Sequence, residues 1–168
     1  WGTGYRKNKI PVTYKGRDVP KPNPDLTLDA LNHPILSWAE LESFRLTADT
    51  SRLISVWKPL VKYYQALRKY IRQGNGLYIT DWASMDDSPR NKYIVSGGTA
   101  VDISSEMVLF ANNLSTIAGI IGKEGKSEKY HKAANELADL INRKMWHERD
   151  HFYYDLTLQE EYVPIKTI

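Results

Sequence analysis

Asp81, Trp82, Asp86, Asp87 and Arg90 fall within ten consecutive residues, Asp81-Trp82-Ala83-Ser84-Met85-Asp86-Asp87-Ser88-Pro89-Arg90. An aromatic ring beside carboxylates suits sugar chemistry. The ring stacks on the apolar face of a pyranose, and carboxylates accept hydrogen bonds from its hydroxyls. A carboxyl that keeps its proton donates it to a leaving glycosidic oxygen. Asp86 beside Asp87 offers the like-charge neighbour that raises one pKa of a pair. The same run also reads as a polar surface loop turning at Ser88-Pro89, since Asp, Ser and Pro are ordinary turn residues. Arg90 then either holds a hydroxyl or orients the acid, or else it pairs with Asp87. Trp82 either stacks on a sugar or packs. Asp102 reads first as a helix cap and second as a sugar contact. Trp38 reads first as core and second as a ligand contact.

A second run also carries chemistry. His147-Glu148-Arg149-Asp150-His151 spells H-E-x-x-H, the pattern in which two His on one helical face hold zinc and the Glu acts as base. Its usual extensions are absent: Tyr154 and Thr157 stand where Gly and His are required. Glu160 and Glu161 lie too near to supply a third ligand from another helix. Trp146 is expected to end the helix before His147. The motif therefore reads as a solvated charged loop, with a zinc peptidase as a remote alternative, and no metal is expected.

The composition narrows the class. The chain has 168 residues, 42% hydrophobic and 26% charged, with no cysteine, so disulfides and thiolate metal sites are excluded. No apolar run approaches the roughly 20 residues that span a bilayer. The net charge is +3, and its excess lies in residues 1–34, which hold six basic and three acidic residues. The rest holds 17 of each, without the basic stripe of a nucleic-acid face.

The elements that must position these residues are helical. Five of the eight prolines lie in residues 1–34, so residues 1–33 read as an extended arm or loop, with a short strand at 10–14. From Pro34 a partial helical catalytic domain is expected to run to 168. Its first helix carries Ile35, Trp38, Leu41 and Leu46 and ends near Asp49. A second, capped by Thr50 or Ser51, carries the stripe Leu53, Trp57, Leu60, Tyr64, Leu67, Ile71 and stops at Gly74. Residues 75–100 form a long loop of the kind that tends to be functional. A third helix, 101–121, is apolar nearly all round and so buried on most sides. Gly122 and Gly125 break it. A fourth, 127–146, is amphipathic, and 152–154 is a short extended segment. The arrangement is all-α: two helical hairpins, the third helix inner and the fourth outer.

Trp82-Ala83-Ser84-Met85-Asp86-Asp87-Ser88-Pro89-Arg90 resembles the catalytic-acid motif of glycoside hydrolase family 63 and its mannosylglycerate-hydrolase-like and trehalase-like relatives, approximately W-x-S-G-M-D-N-S-P-R. Ala83-Ser84 replaces the usual S-G, and Asp87 replaces a frequent Asn. Before the motif Pro34-Ile35-Leu36-Ser37-Trp38-Ala39, and after it Val101-Asp102-Ile103-Ser104, Phe152-Tyr153-Tyr154-Asp155 and Lys166-Thr167-Ile168, are similar to landmarks of that family in the same order. Asn32-His33 departs from the usual Gln-Pro. The resemblance implies an (α/α)6 barrel that hydrolyses a glycosidic bond, usually α, with inversion and without a cofactor. Asp86 would be the general acid, with Trp82, Asp87, Arg90, Asp102 and Trp38 near the oligosaccharide or glycoside substrate. In such families the Glu base lies much further along, and neither Glu40 nor Glu106 matches its motif. Four helices do not close such a barrel, so further protein is expected to supply the base and the remaining helices. A non-catalytic carbohydrate-binding or interaction domain is the alternative from another class.

Overall fold

The computed structural model describes residues 13–14, 17–18, 33–79, 88–90, 93 and 98–166. Trp82, Asp86 and Asp87 lie outside them. Within the proline-rich segment, β1 (Thr13–Tyr14) pairs antiparallel with β2 (Arg17–Asp18). Most of the core is helical, built by α1 (Leu36–Thr47), α2 (Thr50–Tyr70), α3 (Val101–Ile120) and α4 (Glu124–Met145), with Leu77, Tyr78, Ile79, Leu156 and Val163 added from the connecting segments. The fold is all-α, as the periodicity predicts.

The α1–α2 turn is made by Ala48 in the left-handed region and by Asp49. Asp49, and neither Thr50 nor Ser51, caps α2: its Oδ1 accepts from the amides of Ser51 at 2.9 Å and Arg52 at 3.2 Å. A carboxylate at this position satisfies two amides that the helix leaves open. Glu40 of α1 accepts two hydrogen bonds from the Arg52 guanidinium of α2, at 2.8 and 2.5 Å. Leu53, Trp57, Leu60, Tyr64 and Leu67 make the buried face of α2. Pro59 sits inside the helix on the exposed side.

Gly74 does not stop α2. The helix ends at Tyr70, and the chain then reverses through Gln73–Gly76, with Gly76 N–H donating to Gln73 O. The glycine the turn requires is Gly76, at φ +89°. A Cβ there would be strained at this φ and would also push the end of the Leu140 side chain, whose Cδ2 stands 2.7 Å away.

α3 packs against the other three helices. Ile103, Met107, Phe110, Ala111, Leu114, Ile117 and Ala118 are buried, while Leu109 on the remaining side is 44% exposed. It is the inner helix. Gly122, at φ +72°, turns the chain after it. Gly125 breaks nothing: it lies in the first turn of α4, where nothing crowds it. α4 buries one stripe, Tyr130, Ala134, Leu137, Ile141 and Met145. The rings of Trp57, Tyr64, Phe110 and Tyr130 join α2, α3 and α4 through edge-on contacts at 5.4–5.9 Å, geometries favoured by the ring quadrupole. β3 (Trp146–His147) and β4 (Phe152–Tyr153) then form a hairpin.

Trp38 is not core. It is 48% exposed, because α1 turns Ser37 and Leu41 inward instead. Ser37 is fully buried, and its Oγ accepts from Asn113 Nδ2 of α3 at 3.2 Å.

Candidate active site

The acid motif meets the described fold at Ser88-Pro89-Arg90. Arg90 Nη2 donates to Asp102 Oδ2 and Nη1 to Asp155 Oδ2, both at 2.8 Å. Ser88 Oγ accepts from Arg90 Nε at 3.3 Å and from its amide at 3.4 Å. The two carboxylates come from different places. Asp102 is in the first turn of α3. Asp155 follows β4, more than fifty residues later.

Asp155 arrives there because the chain after β4 runs back across the start of α3. Leu156 pairs with Thr99 in both directions, at 2.8 and 2.9 Å. That bridge sets Asp155 over the helix end, and its Oδ1 accepts from Val101 N–H at 2.8 Å. The N-cap position itself is Ala100, which has no side chain to do this. Asp102 sits second in the helix and accepts from Ile103 N–H at 2.6 Å. The amide opened by the helix start is therefore satisfied by Asp155, which corrects the reading of Asp102 as the cap.

Burial dominates the electrostatics of Asp155. Its side chain is 1% exposed, and this desolvation pushes its pKa up to about 6, against the opposing pull of Val101 N–H and Arg90. The neighbouring charge of Asp102 adds to the rise. Burial works against the charge of Arg90, but Asp155 and Asp102 more than offset it, and the guanidinium is held above its usual range.

One turn along α3, Glu106 Oε1 meets His33 Nδ1 at 2.5 Å. Its Oε2 is buried without a hydrogen-bond partner. Burial raises the Glu106 pKa, with His33 opposing and Asp102 reinforcing. Asp102 and Glu106, four residues apart, thus share one face of α3 with Arg90 at its upper end. Arg90 and Asp102 are brought together, and Trp38 is not part of this cluster.

The H-E-x-x-H run lacks the geometry that zinc chemistry needs. α4 ends at Met145, His147 lies in β3, Glu148–Asp150 form a 3-10 turn, and His151 is left-handed at φ +47°. The two His are not on one helical face. Glu148 accepts from Trp146 Nε1 at 2.7 Å instead.

Residues 23–167 match the mannosylglycerate hydrolase MGH1-like glycoside hydrolase domain. The chain belongs to this family. The match begins inside the proline-rich segment and covers the acid motif, Asp102 and Asp155. An uncharacterized protein of Borreliella burgdorferi is 34% identical over 140 residues, covering 82% of this chain and 29% of that protein. The chain thus spans under a third of that relative's length. Among solved structures, a sialidase is similar at a TM-score of 0.60 and 24% identity, over 66% of this chain and 10% of that one. At that identity the likeness concerns the fold.

Asp155 is the site residue that the motif did not single out. Sequence reading used it only as a landmark after Phe152-Tyr153-Tyr154. The available signal was a lone acid between Tyr154 and Leu156, both of which are buried.

Proposed function

We propose that this chain carries the general-acid half of an inverting glycosidase on part of an (α/α)6 domain, with Asp86 as the proton donor. The family match supports the glycosidase class, and the observation that carries the reading is the Asp102–Arg90–Asp155 clamp. It fixes the last residue of the acid motif to the start of the inner helix, four residues from Asp86. A proton donor must be held within hydrogen-bond reach of the leaving oxygen, and that requires its loop to be anchored to rigid structure.

Asp86 protonates the glycosidic oxygen as the C–O bond breaks. A Glu base, supplied by protein outside this chain, activates water across the ring, with the carboxyls about 6.5–9.5 Å apart. Trp82 stacks on the sugar, and Asp87 and Trp38 contact it. Residues 1–33 form an arm, and residues 34–168 belong to the catalytic domain.

The test is Asp86→Asn in the intact protein. Hydrolysis of unactivated glycosides should fall by about 10²–10⁴-fold, the usual worth of a general acid. A substrate whose leaving group departs without a proton should recover much of the rate. Near-normal turnover of Asp86→Asn on unactivated substrates would remove Asp86 from the role. Glycoside binding by the unmutated protein with no cleavage would favour a non-catalytic domain.

A further inference from the structure

The H-E-x-x-H run lacks zinc geometry, but three of its side chains border a cleft. His147, Arg149 and Asp150 line it together with Tyr154, Tyr162 and Lys166, and its volume is about 370 Å³, room for one pyranose ring. The chain folds these residues together after β4. It reverses at Thr157–Glu160, where Glu160 N–H donates to Thr157 O at 3.0 Å and Glu160 is left-handed at φ +62°. Tyr162 then returns beside Leu156, and Val163 N–H donates to Asp155 O at 2.9 Å. Tyr154 lines the cleft, while the next residue, Asp155, turns to Arg90.

The walls of the cleft are fixed, and its polar groups are not used up. The His147 ring meets Tyr162 and Tyr154 edge-on, at 5.0 and 5.7 Å, and Tyr162 Oη donates to Trp146 O at 3.1 Å. Tyr162 still stays 40% exposed, which leaves ring surface for a ligand. Asp150 Oδ2 accepts from Tyr154 Oη at 2.8 Å. Its cationic neighbours stand further off: Lys166 Nζ is 3.6 Å from Oδ2 and Arg149 Nε 3.4 Å from Oδ1, both longer than a good hydrogen bond. His147 Nδ1 lies 3.5 Å from Oδ2 and is buried without a hydrogen-bond partner among the described residues. A carboxylate beside an ammonium and a ring suits a sugar. A hydroxyl donates to the first and accepts from the second, and the apolar face of the pyranose lies on the ring. An anion would meet the charge of Asp150. We propose that this cleft binds one neutral pyranose unit, with Tyr162 as its platform and Asp150 and Lys166 as its hydroxyl partners. The proposal stands apart from the role of Asp86, because binding is read without turnover.

The experiment titrates the intact protein with methyl α-glucopyranoside, methyl α-mannopyranoside and methyl α-galactopyranoside, one at a time, by calorimetry and saturation-transfer NMR. At least one should bind with a Kd on the order of 1 mM, the affinity expected of so small a ligand in an open cleft. Tyr162→Ala should weaken that binding about tenfold and Lys166→Met about fivefold. Tyr162→Phe keeps the ring and loses the hydrogen bond to Trp146, so it should bind as the unmutated protein does. Melting temperatures show whether each variant is folded. Lys166→Met, which keeps most of the side-chain stem of a half-exposed residue, carries the test if Tyr162→Ala is not. Binding left unchanged by Lys166→Met, or by a folded Tyr162→Ala, would lie elsewhere and overturn the proposal, as would no binding of any of the three glycosides. Displacement of the bound glycoside by equimolar inorganic phosphate would also overturn it, by making the cleft an anion site. None of these results bears on Asp86, whose test is turnover.

Discussion

Arg90 holds two carboxylates with one guanidinium, and the two are not equivalent. Asp102 keeps a quarter of its side chain in solvent, while Asp155 keeps almost none. Pairing favours the charged form of Asp155, but desolvation acts on the whole carboxylate and the cation is shared, so desolvation wins. This has a consequence for stability. Folded Asp155 holds its proton up to about pH 6, whereas the free side chain releases it near 3.8. Between these values the folded state binds more protons than the unfolded state. Stability from this group is therefore full below the lower value and is lost as pH rises through the upper one, by at most about 1.4 kcal/mol per unit. Glu106 shifts in the same direction, and Asp49, Asp150 and Glu160 in the opposite one. Only a difference isolates Asp155. In the intact protein, the unfolding free energy of wild type minus that of Asp155→Asn should fall from pH 4 to pH 6 and level off above. A difference that rises with pH would show that Arg90, not burial, sets this carboxyl. None of this was legible in the sequence. Arg90 was expected to meet either a ligand or its near neighbour Asp87. A contact to a residue more than fifty positions away leaves no trace in local spacing.

At the scale of elements, periodicity located the helices well, and local chemistry located their ends less well. The stripes of α2 and α4 are set by burial on one side, and α3 by burial on most sides, so their existence follows from where apolar residues recur. Ends depend on single hydrogen bonds. Asp49, Thr50 and Ser51 are all competent caps in sequence, and the backbone decides among them: Asp49 is the extended residue, at ψ +92°. Gly74, Gly76, Gly122 and Gly125 look equivalent as letters. Gly76 and Gly122 alone among these four adopt positive φ. The cap of α3 was out of reach because Asp155 comes from the far side of α4. The Asp49 cap offers a clean test, being remote from the clamp. Asp49→Ala should weaken the start of α2 by removing its N-cap. In native-state hydrogen exchange of the intact protein this is a loss of protection across the α1–α2 hairpin. Turnover should be unchanged. Unchanged protection would mean that the Glu40–Arg52 pair and Leu53 packing hold this turn without the cap.

For the whole molecule, the described helices bury a continuous core and still leave large apolar side chains in solvent. Ile35, Leu36 and Trp38 at the start of α1, Ile54 on α2, and Leu109 and Ile120 on α3 are all exposed by a third or more. Isolated exposed apolar residues are ordinary, but an inner helix with Leu109 uncovered presents apolar surface of the kind that marks an interface or an aggregation liability. The family resemblance calls for about twelve helices, and four are described here. The chemistry is unbalanced in the same sense. On the proposed reading the acid lies in this chain, while Glu40 is held by Arg52, Glu106 meets His33 through one oxygen, and neither resembles the base motif of the family. The uncovered helix face and the proposed mechanism point to the same addition, further helices that supply a Glu base. Residues 1–168 expressed alone should therefore associate, or melt without a cooperative transition, and turn over no glycoside. Light scattering and calorimetry on that chain, beside the same measurements on a version extended to the relative's proportions, decide the matter. The extended protein should be dispersed and active. A 168-residue monomer that melts cooperatively and cleaves glycosides would show that the uncovered face of α3 needs no partner and that the base lies within these residues.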